Sequence, residues 1–142
     1  MYIKKPLVLI TTASNIKMAL YRFLDIFVVI FHCLLIAFNL FGWIWPKTRK
    51  LHRFSLGLTA FSWLVPGIWY GFGYCFLTDW HWEIKEKLGQ TGLPNSFNTW
   101  LFWQAGIHLE PHTVDIITVA SLVVVVLIAI YLKIYPNRHI KA

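Results

Sequence analysis

Asp25, His32 and Asn39 follow one another at intervals of seven residues, so in a helix they lie on one face. His52, Ser55, Thr59, Ser62 and Pro66 step by three and four and share another face. His112, Asp115, Thr118 and Ser121 form a third stripe. All three stripes sit in strongly apolar sequence. A polar group in hydrocarbon is costly unless it is paired, so the stripes are expected to face one another inside a helical bundle. Two chemistries fit them. The leading reading is interhelical glue, in which hydroxyl, amide and imidazole groups bond across helices. The alternative is a ligand or proton site around Asp25, His32 and Asp115, because ionisable side chains within a membrane tend to be functional. In its widest form this candidate pocket comprises Asp25, His32, Asn39, His52, Ser55, Thr59, Cys75, Thr78 and Asp115.

Other constellations carry less. His108-x-x-x-His112, with Glu110 between, has metal-ligand spacing, but Pro111 disfavours a helix there and a loop is expected, with no metal site. His32 and His52 could share a haem only if both reached one iron. His32 falls near the bilayer centre and His52 at its edge, so no cofactor is expected and haem is the weakest alternative. The two cysteines, Cys33 and Cys75, imply no disulfide framework. His81, between Asp79 and Glu83, reads as a solvated contact to lipid headgroups.

The elements that would position these residues follow from composition. Of 142 residues, 58% are hydrophobic and 13% charged, and the mean hydropathy is +0.59. A water-soluble domain of this length would need more polar surface, so an integral membrane protein is expected. The net charge of +7 then sets orientation in a bilayer and does not point to nucleic acid. Apolar runs predict three spanning helices over residues 20–45, 54–77 and 114–132, in an all-α fold. Trp43 and Trp45 anchor the end of the first, and Pro46 ends it.

Residues 79–106 are too interrupted to span. Thr78 or Asp79 is expected to cap a short helix whose apolar face is Trp80, Ile84 and Leu88, with Glu83, Lys85, Glu86 and Lys87 facing water. Asn95 or Ser96 caps a second short element ending near Gly106. Both would lie at the interface, with Trp80, Trp82, Trp100 and Trp103 at headgroup depth. Gly67-x-x-x-Gly71 would allow close helix approach.

Asp25, Asp79, Glu83, Glu86, Glu110 and Asp115 all fall on the side of the N-terminus and the long second loop. Lys47, Arg49, Lys50, Arg53, Lys133, Arg138 and Lys141 fall on the other. The basic excess predicts a bacterial inner-membrane protein with its N-terminus outside and its C-terminus cytoplasmic. Residues 1–17 read as an extension to a single domain over 18–142, with Met18 a possible start of translation.

With the helices placed, the order of motifs resembles a bacterial family of small membrane proteins known as domain of unknown function 2784. Tyr21-Arg22 and His32 match its opening and the histidine midway along its first helix. Leu51-His52 matches the Leu-His before its second helix. Cys75-Phe-Leu-Thr78, followed by a short amphipathic helix containing Ile84-Lys85, matches its Cys-Pro-Leu-Thr segment. Phe76 stands in place of the usual proline, His81 in place of a glutamate, and Thr99-Trp100 where the family often has His-Tyr. The resemblance implies the topology and no reaction. The leading functional expectation is a non-enzymatic accessory component that binds lipid, a membrane protein partner or a second copy of itself. The alternative is an enzyme or carrier with an intramembrane pocket for a lipid-like or quinone-like molecule.

Overall fold

The computed structural model describes residues 7–70 and 73–135, with backbone alone for residues 7–11 and 13. The described residues form six helices: α1 (Leu7–Phe41), α2 (Arg49–Leu64), α3 (Gly67–Tyr70), α4 (Phe76–Lys87), α5 (Phe97–Gln104) and α6 (Pro111–Ile134). Two of them are long and apolar enough to cross a membrane, α1 over Ser14–Phe41 and α6 over its whole length.

The three expected spans are therefore corrected to two. The middle run, 54–77, does not fold as one helix. Pro66 has no N–H to donate to the preceding turn and its ring crowds that turn's carbonyl. α2 accordingly stops at Leu64, with Val65 as its C-cap. Its 16 residues reach only about 24 Å at about 1.5 Å per residue. The short α3 then hangs from the Pro66 carbonyl through the N–H groups of Trp69 and Tyr70. Gly73 turns the chain at φ 85°, a left-handed conformation open mainly to glycine. α4 begins at Phe76, inside the expected span.

Element ends also move. The first helix stops at Phe41, not Trp45, and side chains bond carbonyls at its end and in the turn that follows. Trp43 Nε1 donates to Leu40 O at 2.8 Å, Thr48 Oγ1 to Gly42 O at 2.7 Å and Arg49 Nε to Trp43 O at 3.0 Å. Close helix approach occurs at Gly42, where a Cβ would stand 2.8 Å from the His52 ring. Gly71, half of the expected close-approach pair, lies outside the described residues. Pro111 starts α6, where a missing N–H costs nothing, so His112 is helical after all. The N-cap of α4 is Cys75, and Thr78 and Asp79 sit in its first turn. Ser96 caps α5 as expected, its hydroxyl accepting from Thr99 N at 3.2 Å.

Leu56, Val125 and Ala129 form a buried cluster with Leu40, Trp43, Leu122 and Val126 against it, joining α2 and α6 to the end of α1. Buried Val28, Ile84, Phe97 and Val114 mark a second packing centre, where α1 meets α4 and α5 meets α6. Outside, the surface is apolar. Phe23, Phe27 and Phe31 stack in an exposed row at 6.5 and 6.3 Å, and Phe54, Leu58, Phe61, Val123, Val124 and Leu127 are exposed on α2 and α6. So much contiguous apolar surface suits hydrocarbon better than water.

Candidate functional site

The chain from α2 to α4 runs along α1 antiparallel to it, and polar groups of the two meet at three levels. At the C-terminal end of α1, Asn39 Nδ2 donates to Thr59 Oγ1 at 2.9 Å and Ser55 Oγ donates to Asn39 Oδ1 at 2.7 Å. The His52 Nε2 lies 2.8 Å from Asn39 O, and the ring is 1% exposed. Two turns back along α1, His32 Nε2 lies 4.0 Å from Cys75 Sγ. Two turns further, His81 Nε2 lies 2.7 Å from Asp25 Oδ1. The first stripe thus meets the second at Asn39, through His52, Ser55 and Thr59, while its His32 and Asp25 meet Cys75 and His81, which lie outside the second stripe.

The third does not join them. His112 and Asp115 are exposed on α6, while Thr118 Oγ1 donates to Val114 O and Ser121 Oγ to Ile117 O within their own helix. Asp115 is therefore removed from the Asp25 cluster. His108 and Glu110 are exposed, and among the described residues no group of three or more His, Cys, Asp or Glu gathers as a metal site. Thr78 is buried on the same face of α4 as His81.

The cluster at Asp25 contains two residues that the sequence reading placed in water. His81 is 0% exposed and the Lys85 side chain 3%, against 18% for Asp25. Lys85 Nζ lies 2.9 Å from Asp25 Oδ1, the oxygen that also meets His81. The buried face of α4 is Thr78, His81, Ile84 and Lys85, not Trp80, Ile84 and Leu88. A signal existed, since Thr78, His81 and Lys85 step by three and four. Lysine as a rule faces water, which works against reading that stripe as the buried face. Here the Asp25 carboxylate offsets the cost of bringing the ammonium inside.

Aromatic rings close over this cluster. Phe97 of α5 stacks on His32 with ring centroids 4.0 Å apart and stands 5.9 Å from His81. Trp100 meets His81 edge-on at 5.8 Å, and the Lys85 ammonium sits 4.4 Å from its ring centroid. Trp82 packs 5.1 Å from His81, its Nε1 fixed on Pro94 O at 2.7 Å. Trp82 and Trp100, expected among lipid headgroups, thus serve as walls of the cluster, whereas Trp80 is exposed and Trp103 Nε1 donates to Leu109 O at 3.3 Å. On the side of Trp82 toward the α4–α5 loop, a cavity of about 340 Å³ is lined by Trp82, Glu86, Gln90, Thr91, Gly92 and Leu93.

Burial is the largest influence on His81 and holds its pKa below the usual histidine value. The Lys85 charge acts in the same direction, and the hydrogen bond to Asp25 opposes both. In the neutral ring the proton lies on the Nε2 that faces the carboxylate. Its Nδ1 and the Nδ1 of His32 are buried and have no hydrogen-bond partner among the described residues. Each such orphan costs about 1–3 kcal/mol.

No curated protein and no solved structure matches the chain. The family profile described as Protein of Unknown function (DUF2784) matches residues 22–135, and its span takes in every residue of the cluster. On that match, which covers most of the chain, the protein belongs to the DUF2784 family.

Proposed function

We propose that the protein is a small multi-pass component of the bacterial inner membrane that binds a lipid-like or quinone-like molecule at the Asp25–His81–Lys85 cluster. One observation carries this reading. A fully buried imidazole is oriented by a carboxylate, yet its other nitrogen has no partner among the described residues. Buried polar atoms in folded proteins are satisfied in the great majority of cases, and exceptions concentrate where a ligand or a reaction completes the set. The exposed apolar faces of α1, α2 and α6 favour a bilayer around the site, and a ligand that arrives from it. In this arrangement α1 and α6 each cross the membrane as one helix, the broken segment α2–α3, too interrupted to be a single spanning helix, returns the chain between them, and α4 and α5 lie toward the outer end of α1. The N-terminus is then outside and the C-terminus cytoplasmic.

The Asn39–His52–Ser55–Thr59 network supports a second reading, a purely structural accessory subunit. Its bonds are of the kind that hold a membrane bundle together. Native mass spectrometry of the gently extracted protein separates the two. The binding reading expects a small-molecule adduct on the wild-type chain that Asp25→Asn releases while the protein stays folded. A bare wild-type chain, or one carrying only a stoichiometric protein partner, would sink the binding reading in favour of the accessory subunit.

A further inference from the structure

The orphaned nitrogen of His81 restricts what the ligand's head can be. Asp25 Oδ1 lies 2.7 Å from Nε2, and a carboxylate only accepts, so Nε2 holds the ring's proton. Lys85, 2.9 Å from the same oxygen, already balances the carboxylate charge. In the neutral ring Nδ1 is then a bare lone pair, buried and without a donor among the described residues. The nearest indole N–H with a described bond, that of Trp82, is committed to the Pro94 carbonyl.

A carbonyl or an anionic oxygen placed at Nδ1 would set acceptor against acceptor. A cationic head would meet the Lys85 ammonium in a site shielded from water. A neutral donor is left, and on a lipid-like molecule that is a hydroxyl. We infer that His81 Nδ1 accepts a hydrogen bond from a hydroxyl on the ligand's head, so that the site takes a quinol in preference to the corresponding quinone. This inference rests on the binding reading above and specifies the head that reading leaves open.

Entry is through α5. Phe97, 2% exposed, covers both imidazoles from that side. The helix is only eight residues long, and it lies between Gly92 at φ 72° and Gly106 at φ 79°. Both glycines occupy the left-handed region, so the strands of chain entering and leaving α5 turn at residues free of side-chain hindrance. Its described side-chain tie to α6 is one bond, Asn98 Nδ2 to Thr118 Oγ1 at 3.0 Å.

Decylubiquinol and decylubiquinone share a tail and differ at the ring oxygens, as hydroxyls or carbonyls. Each is titrated without oxygen into the full-length protein in detergent, with histidine labelled by ¹⁵N. The quinol is expected to bind at least about tenfold more tightly, equivalent to about 1.4 kcal/mol. It should also move the His81 Nδ1 resonance in the direction of a hydrogen-bonded acceptor. His81→Phe should abolish the preference, and should that variant not fold, the wild-type resonance decides alone. Equal binding with an unmoved resonance overturns the hydroxyl inference and leaves the binding reading standing. A resonance that is already hydrogen-bonded before addition, and that neither probe moves, means water alone and overturns the inference. If neither probe binds and the protein is bare in native mass spectra, the binding reading itself falls.

Discussion

Replacing Asp25 by Asn keeps the side chain's shape and an oxygen that can accept from His81, but removes the charge. Lys85, with its side chain 3% exposed, would then be buried without a counter-ion. Breaking a buried ion pair by deleting one partner costs about 3–5 kcal/mol. Asp25 keeps 18% of its side chain exposed, so solvent softens the loss and the lower end, about 3 kcal/mol, is expected. Lys85→Met removes the ammonium and leaves Asp25 with His81 and partial hydration, a loss of about 1–2 kcal/mol. In the double variant neither charge remains and a thioether fills the lysine's space. The two losses should therefore fall short of adding by about 2 kcal/mol, within the range for directly paired side chains. Unfolding in mixed micelles, followed by the fluorescence of Trp82 and Trp100 beside the cluster, measures all four corners of the cycle. Additivity to within about 0.5 kcal/mol would refute the ion pair and the account of why Lys85 is inside.

Two further outcomes follow from the same geometry. Burial holds the His81 pKa below its ordinary 6.5, so on acidification the unfolded chain takes up this proton first. Its contribution to stability is complete above about pH 6.5 and is lost as pH falls from there. The unfolding midpoint should drop between about pH 7 and about pH 5, and His81→Gln should flatten that dependence. A wild-type protein that grows more stable over this range would mean a charged His81 paired with Asp25. At the other end of α1, Gly42→Ala would place a Cβ 2.6 Å from the Phe38 carbonyl and 2.8 Å from the His52 ring. A loss of about 1–3 kcal/mol is expected from such overpacking, accompanied by a changed His52 imidazole resonance. A neutral substitution would show that α1 and α2 separate easily there.

Much of the helical content is written in the chain. The seven-residue spacing of Asp25, His32 and Asn39 fixes one face of α1. The three-and-four spacing from His52 to Thr59 fixes the face of α2 that meets it. A helix's periodicity is local, and an apolar run long enough to cross a bilayer is visible without knowing its neighbours. Ser96 as the cap of α5 was legible for the same reason, since capping is decided within four residues.

Three features depended on partners distant in sequence. The apolar run 54–77 reads as a span by composition. Whether Pro66 kinks a helix or ends it depends on what neighbours offer the freed backbone, and here the chain turns at Gly73 to dock α4 on α1. Asp115 has the spacing of an interior residue, yet α6 presents its other faces to α1, α2 and α5, leaving Asp115 exposed. The rotation of α4 is the clearest case. Its sequence offers an apolar stripe through Trp80 and a polar one through His81 and Lys85, and intrinsic preference favours burying the first. Only the carboxylate of Asp25, 56 residues before His81, lowers the cost of burying the second. A charge balanced across two helices is a tertiary quantity, and no window of sequence contains both halves of it.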